Sequence, residues 1–268
     1  MKQYNSKLLL FLIIVLLASS CEKVINIDLN SSDPKIVIEA EISDQSFCKV
    51  KLTQTVNFDE SNSFPTVTGA VIKITDNLGN TEMLTETSAG NYTGTLLTGV
   101  PGRTYTLVIT ANGKTFKAIS TIPQPVNIDT LLVEEFYGHI SGKAVETRYT
   151  DPAGVANFYR FILYVNGEEK KFITITDDRL ADGQVITLPV PAINEKIISY
   201  NSGDTAVIYL QSIDKGVYEY FRTLKQLEGG GPGPGGSTSP ANPQSNINNW
   251  ALGYFNAYSV KSKSIVIQ

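Results

Sequence analysis

The sequence predicts an all-β fold made of two β-sandwich-like domains, the second of which carries one short α-helix. Three observations lead to this prediction. Apolar residues recur at every second position in many short segments, which is the period of a β-strand. Gly, Asn and Pro separate these segments at the close spacing that is typical of sandwiches. A clear apolar repeat with helical spacing stands out in one segment.

The first predicted domain covers residues 21–125. Its segments alternate apolar and polar side chains, and Asn112 with Gly113 forms a dipeptide that favours a type I′ hairpin turn. Pro123 and Pro125 cannot continue a central strand, so we place the domain boundary there. The predicted strands are residues 25–29, 35–42, 48–56, 70–75, 81–87, 92–97, 104–110 and 114–121.

The second predicted domain covers residues 126–268. Asp214 is a good N-cap, and the apolar residues after it recur at helical spacing, which predicts a helix over 215–227. Residues 229–246 are rich in Gly and Pro and contain no apolar anchor, so we expect a flexible loop inside the domain. The predicted strands are residues 127–135, 158–165, 168–176, 184–189, 205–213, 251–260 and 264–268.

The first twenty residues have the order of a secretory signal peptide. Lys2 and Lys7 precede an apolar run at 8–17, and small residues follow up to Cys21. The run is too short to span a bilayer, which needs about 20 residues. Cys21 is therefore the predicted lipidation site of a bacterial lipoprotein, although Ala18 replaces the usual leucine. The alternatives are an ordinary signal peptide that happens to end beside a cysteine, or a short transmembrane anchor.

Charge and cysteine content exclude several classes of function. Removal of residues 1–20 takes away two lysines, so the net charge of −4 becomes −6. A mildly acidic chain lacks the clustered cations that bind nucleic acid. Cys48 alternates with Val50 and Leu52 and is predicted to be a buried structural thiol.

The residue patterns of common enzymes and metal sites are missing from the sequence. His139 is the single histidine, whereas a zinc or copper site takes several His or Cys ligands. The sequence contains no Gly-x-Ser-x-Gly elbow and no glycine-rich phosphate loop. We therefore predict no enzyme activity, no catalytic residue, no cofactor and no metal.

One acidic loop leaves a question open. Asp177, Asp178, Asp182 and Gly183 lie close together, and oxygen ligands on a turn suit calcium. Their spacing is not that of an EF-hand, and Arg179 supplies a counter-charge. Solvated turn acids are the favoured interpretation, and calcium binding stays open.

A partner-binding surface is predicted near the second domain's long loop. Ten of the thirteen tyrosines follow residue 125, and aromatic residues are enriched at interfaces. Long loops inside compact domains are often functional. The residues predicted to bind a partner follow the 229–246 loop and are Trp250, Tyr254, Phe255 and Tyr258. The alternative is that these aromatics are core and the loop is a tolerated insertion.

A series of short motifs runs along nearly the whole mature chain. It comprises Ser20-Cys21-Glu22, residues 24–29, Ile36-Val37-Ile38-Glu39-Ala40, Gly69-Ala70-Val71, Asp76, Gly79, Gly90-Asn91-Tyr92, Pro101-Gly102, Thr104-Tyr105-Thr106-Leu107, Ile122-Pro123, Ile128-Asp129, Tyr159-Arg160-Phe161, Asp177-Asp178, Asp182-Gly183, Tyr218-Glu219-Tyr220, Ser245-Asn246-Ile247 and Leu252-Gly253-Tyr254-Phe255. In this order the motifs resemble a Bacteroidota lipoprotein family known as domain of unknown function number 4249. The chain departs from the family at 229–240, where Gly and Pro dominate.

The resemblance implies an outer-membrane lipoprotein, often encoded near TonB-dependent transporters, with no established activity. The first half also resembles immunoglobulin-like or prealbumin-like sandwiches. We expect a lipid-anchored, non-enzymatic accessory or binding protein of such a transporter. The alternatives are a structural or adhesive envelope protein, or a hydrolase with a carboxylate site. Thr130 and Thr205 match an Asp-Thr glycosylation pattern of Bacteroidota secreted proteins.

Overall fold

A computed structural model describes residues 33–57, 63–136, 142–190, 200–228 and 242–268. Apart from Asp33 and Asn57, the described residues belong to one compact unit. Cys21, the predicted strand at 25–29 and His139 lie outside the described residues, and so does the part of the predicted loop at 229–241.

The described residues form mainly β-strands, as the alternating segments predict, and the all-β sandwich-like fold with one helix is confirmed. The strands are β1 (Ile36–Ser43), β2 (Ser46–Gln54), β3 (Val71–Asp76), β4 (Thr81–Met83), β5 (Thr85–Ser88), β6 (Asn91–Thr98), β7 (Thr104–Ala111), β8 (Lys114–Thr121), β9 (Ile128–Phe136), β10 (Gly142–Thr150), β11 (Phe158–Val165), β12 (Glu168–Asp177), β13 (Val185–Val190), β14 (Thr205–Ile213) and β15 (Leu252–Val266). The helix, α1, spans Lys215–Glu228 and matches the predicted helix at 215–227.

Local signals explain most of these elements. Asn112 and Gly113 have positive φ angles of 48° and 70°, as the predicted type I′ turn between β7 and β8 requires. Asp214 caps α1, since its Oδ1 accepts the Val217 N–H at 2.9 Å. The other carboxylate oxygen of Asp214 accepts a 3.2 Å bond from the Thr121 N–H of β8. The start of the helix is therefore fixed to the first half of the chain.

The strands form three sheets, of which the largest joins both halves of the chain. Its order is β12-β11-β14-β15-β1-β2-β6-β5, while the smaller sheets have the orders β4-β3-β7-β8 and β13-β10-β9. The first part of β15 runs parallel to β1, with Val37 opposite Leu252. Its second part runs antiparallel to β14, with Ser212 opposite Ser259. A single 15-residue strand thus replaces the two closing strands predicted at 251–260 and 264–268.

Two apolar cores lie in the two halves of this arrangement. Residues of β1, β2, β3, β6, β7 and β8 meet in the first core, and we call this half of the fold the first sandwich. Residues of β9, β10, β11, β13 and β14 meet in the second core. Ile247, Ala251, Phe255 and Ala257 also belong to the first core although they follow the predicted boundary at residue 125. The predicted division into 21–125 and 126–268 therefore does not hold for the start of β15, which pairs with β1 and packs in the first core.

A third apolar cluster holds α1 against the large sheet. Val217, Tyr218 and Phe221 of the helix contact Tyr258 and Val260 of β15 within this cluster. The helix contributes an amphipathic face of the kind that the helical spacing predicts. The helix covers the aromatic residues on the face of β15 that points away from the first core.

Candidate functional site

Trp250 is the most exposed of the four residues predicted to bind a partner, with 90% of its side chain accessible. It ends a short turn in which Asn249 and Trp250 have positive φ angles of 56° and 62°. Residues other than glycine rarely adopt positive φ angles unless the surrounding structure holds the backbone in place. The turn before β15 therefore presents an indole to solvent on a constrained backbone.

Hydrogen bonds attach this turn to the edge strand β8. The Lys117 N–H donates to Asn248 Oδ1 at 2.7 Å, and the Asn248 N–H donates to the Lys117 carbonyl at 3.0 Å. Asn249 Nδ2 donates to the Thr115 carbonyl at 2.6 Å. Trp250 therefore stands on the first sandwich. Trp250 was expected on the second domain, but the pairing of β15 with β1 carries its turn to the other half of the fold.

Phe255 and Tyr258 are buried, so a direct partner contact by these side chains is not supported. Phe255 is 0% exposed and lies in the first core, and Tyr258 lies in the cluster beneath α1. Residues at alternate positions of β15 point to opposite faces of the large sheet, and both faces are covered there. The alternative interpretation, that these aromatics are core, applies to these two residues.

Tyr254 occupies an intermediate position beside the helix. Its ring centroid lies 4.9 Å from that of Tyr220 and 5.0 Å from that of Phe221. The Arg160 guanidinium lies 4.1 Å from the Phe221 ring centroid, a cation–π contact. Burial raises the pKa of Tyr254. Tyr254 also lines an open groove of about 310 Å³ with Glu39 and other residues of β1, β2 and β6.

The end of the predicted flexible loop is anchored. The Gln244 N–H donates to Thr223 Oγ1 of α1 at 2.8 Å, and Ser245 Oγ donates to the Gly253 carbonyl at 2.8 Å. Asn246 exchanges two bonds with the Phe255 backbone, accepting at 2.9 Å and donating at 2.8 Å. The flexible loop was predicted to extend to residue 246, but these bonds hold residues 244–246 in place. Polar side chains here substitute for a strand partner, which composition alone does not reveal.

A second candidate site is acidic and lies between two connecting loops. Asp151 follows β10, and Asp178 and Asp182 follow β12. One carboxylate oxygen from each residue lies within 4.8 Å of the others. Asp151 and Asp178 are buried, and Asp182 is exposed. Sequence reasoning identified the last two residues but missed Asp151, because it lies far from them along the chain.

Hydrogen bonds orient the three carboxylates. Asp151 Oδ1 accepts the Tyr159 hydroxyl at 2.5 Å, and Asp151 Oδ2 accepts the Gly183 N–H at 3.1 Å. Asp178 Oδ2 accepts the Asn157 N–H at 2.8 Å. Asp182 Oδ1 accepts the N–H of Gly154 at 2.7 Å. The loops at 151–157 and 178–184 are thereby fastened to each other.

Asp177 does not join the cluster. It forms a 2.9 Å ion pair with Arg179 and accepts the Tyr218 hydroxyl at 2.8 Å. Burial acts to raise the pKa of Asp177, but the bonds from Arg179 and Tyr218 outweigh it and hold the pKa below its usual value. Arg179 therefore neutralises Asp177. It forms no ion pair with the cluster of Asp151, Asp178 and Asp182.

Two buried tyrosines complete the acidic site. Tyr149 and Tyr159 pack edge to face, with ring centroids 5.0 Å apart. The Tyr149 hydroxyl is buried and has no hydrogen-bond partner among the described residues. Burial, followed by the charges of Asp151 and Asp178, raises the pKa of Tyr149. The unpaired hydroxyl therefore lies within electrostatic reach of both buried carboxylates.

The other sequence candidates have simpler positions. Cys48 is fully buried in the first core, as predicted, and burial raises the pKa of its thiol well above the usual range. Such a thiol remains protonated and chemically quiet. Thr130 and Thr205 are half-buried in β9 and β14, and their glycosylation stays a prediction.

Comparisons with known proteins identify a family. The chain is similar to a two-domain fibronectin type III segment of chicken tenascin, at 10% identity and a TM-score of 0.22 over 87% of this chain and 98% of that one. It is also similar to a cytokine receptor complex, at 9% identity and a TM-score of 0.26 over 86% and 95%. No curated protein matches. Residues 22–264 match the family described as a domain of unknown function (DUF4249), and the chain belongs to that family.

Proposed function

We propose that the mature chain is a lipoprotein, acylated at Cys21 and held at the outer membrane, that acts as a non-enzymatic binding accessory of a TonB-dependent nutrient-uptake system. The charged start, the apolar run at 8–17 and the small residues before Cys21 support the anchor. Within the described ranges, no helix has the length and apolar character needed to cross a bilayer. The lipid is the membrane attachment that this proposal requires.

The binding role depends mainly on one observation, the exposure of Trp250. Tryptophan is among the residues that most often dominate the binding energy of protein interfaces. The side chain is 90% exposed, and both it and Asn249 have positive φ angles. The bonds from this turn to β8 fix the backbone before a partner arrives, which reduces the entropy lost on binding. A pre-organised exposed indole is well suited to anchor a protein partner.

The proposal is tested by affinity purification from native membranes. Trp250→Ala is compared with Leu78→Ala, which removes a 67% exposed apolar side chain from the turn between β3 and β4. We expect the transporter to be recovered with the wild type and with Leu78→Ala. Recovery with Trp250→Ala should fall about tenfold or more, the loss that about 1.4 kcal/mol of binding energy produces.

Two outcomes would argue against this function. Equal recovery with folded Trp250→Ala protein would remove the indole from the interface. Recovery of a cell-surface polymer without any transporter would favour the alternative function, a structural or adhesive protein of the cell envelope.

A further inference from the structure

The three carboxylates of Asp151, Asp178 and Asp182 bring like charges together in a partly buried position. Their nearest oxygens lie within 4.8 Å of one another, and two of the side chains are buried. Among the ion pairs between described residues, none involves these three carboxylates, and Arg179 is paired with Asp177. Because like charges that lie side by side in a partly buried position repel one another, a cation bound between them would stabilise the arrangement.

The Tyr149 hydroxyl is a second, independent observation beside this cluster. The side chain is 0% exposed, and its oxygen makes no hydrogen bond within the described residues. Its ring packs against Tyr159, whose hydroxyl bonds Asp151. Buried hydroxyls nearly always have a partner, and a water bound to a metal ion would supply one here.

The donor set and its spacing indicate the type of cation. All three side chains offer carboxylate oxygens, which are the ligands of hard cations such as Ca²⁺ and Mg²⁺. Ca²⁺ binds oxygen at about 2.3–2.6 Å in a flexible geometry, whereas Mg²⁺ binds at about 2.0–2.1 Å and demands a near-octahedral arrangement. Three carboxylate oxygens gathered within 4.8 Å of one another by two separate loops therefore suit the larger and more tolerant Ca²⁺ better.

The surroundings would give the ion access and a structural effect. Asp178 also lines a groove of about 510 Å³ together with Asp177, Arg179, Tyr218 and Arg222. Asp182 is exposed, which leaves the site open to solvent on one side. The two loops that hold the carboxylates are joined by the Asp182–Gly154 and Asp178–Asn157 bonds. An ion between them would strengthen a link that already exists.

We propose that Asp151, Asp178 and Asp182 bind a calcium ion that clamps the loop at 151–157 to the loop at 178–184. The buried, unpaired Tyr149 hydroxyl bonds a water of the ion's coordination shell. This site goes beyond the proposed binding function and does not depend on it. Its failure would leave the role of Trp250 untouched.

The experiment uses the mature chain and titrates it with CaCl2 and with MgCl2 after treatment with EDTA. Heat of binding and melting temperature are the two measurements. We expect saturable Ca²⁺ binding and a higher melting temperature in Ca²⁺ than in EDTA. Asp178→Asn and Asp182→Asn should weaken Ca²⁺ binding at least tenfold. Asp177→Asn is the matched control, because its carboxylate is adjacent in sequence but bound to Arg179, and it should retain the Ca²⁺ response.

The melting temperature in EDTA separates metal binding from a merely structural role. If the carboxylates hold a cation, removal of one charge relieves repulsion, so Asp182→Asn should melt in EDTA at the wild-type temperature or above. If they only form hydrogen bonds, the variant should melt lower in EDTA and Ca²⁺ alike. Absence of binding heat and equal wild-type melting in Ca²⁺ and EDTA would overturn the proposal, as would binding of Mg²⁺ but not of Ca²⁺. Tyr149→Phe, which removes the unpaired hydroxyl, should weaken Ca²⁺ binding about twofold to threefold without lowering melting in EDTA.

Discussion

Glu82 of β4 is expected to stabilise the first sandwich through its charge. The side chain is 4% exposed, and its carboxylate accepts the backbone N–H groups of Thr95, Leu96 and Leu97, the last two at 2.9 and 2.8 Å. Residues 94–97 leave the ladder between β2 and β6, whose register shifts at this point. The carboxylate therefore replaces the strand partner that these amides lack.

Glu82→Gln removes the charge and one of the two accepting oxygens. A hydrogen bond to a charged group contributes about 1.5–3 kcal/mol, and a buried N–H left unpaired costs about 1–3 kcal/mol. We expect the free energy of unfolding at pH 7 to fall by about 3 kcal/mol, which lowers Tm by roughly 6–12 °C in a chain of this size. Urea denaturation measures the change. Glu39→Gln is the control, since Glu39 forms an exposed pair with Lys51 and should change stability by less than about 1 kcal/mol.

The pH dependence gives this prediction a sign. Burial acts to raise the pKa of Glu82, but the three backbone N–H groups outweigh it and lower the pKa below 4.5. A carboxylate with a lowered folded pKa contributes stability that is present above the unfolded pKa and is lost as pH falls through the folded value. The difference between wild type and Glu82→Gln should be full above pH 4.5 and shrink below it. A difference that is constant from pH 7 to pH 3 would refute the electrostatic explanation.

Three further predictions concern the C-terminal strand and the anchor. Gly253 has a φ of 92°, and a Cβ at this position would lie 1.9 Å from the Ile38 carbonyl oxygen. Gly253→Ala should therefore lower the free energy of unfolding by about 3 kcal/mol or more. The loss would be measured as a lower urea midpoint or as loss of folded protein. Phe255→Ala should lower the free energy of unfolding by about 3–5 kcal/mol because the ring is fully buried. Trp250→Ala should change it by less than about 0.5 kcal/mol because the indole is exposed. Equal melting temperatures of the two variants would contradict these assignments of burial. Cys21→Ser should yield protein without fatty acid by mass spectrometry and release it from membranes, and acylated variant protein would exclude Cys21 as the site.

Elements with local signals could be predicted from the sequence, and those with remote partners could not. The turn at Asn112 and Gly113 and the cap at Asp214 depend on residues next to them, and the structure has both. The strand β10 was missed, although Val145, Thr147 and Tyr149 all point inward. The buried Thr147 interrupts the apolar pattern, so the alternation does not stand out.

The path of β15 and the acidic cluster depend on long-range pairing. Glu39 and Tyr254 are opposite each other in a parallel pair, yet they are separated by most of the chain. Parallel pairing requires no adjacent turn, so no local motif announces it. Asp151 likewise meets Asp178 only because β10 and β12 end at neighbouring loops. Asp178 and Asp182 could be found from sequence, but their grouping with Asp151 could not.

The excess of aromatic residues in the second half is explained by packing rather than by a contact surface. Most of these rings fill the second core or the cluster beneath α1, and the buried ones include Tyr149, Tyr159, Phe161, Tyr218, Phe221, Phe255 and Tyr258. A helix laid on the outer face of a sheet creates an additional apolar layer, and large rings fill it efficiently. Enrichment therefore says little about recognition in this fold. Trp250 differs because it precedes the paired part of β15, which begins at Leu252 and includes the buried Phe255. Its indole therefore remains in solvent at the edge of the first sandwich.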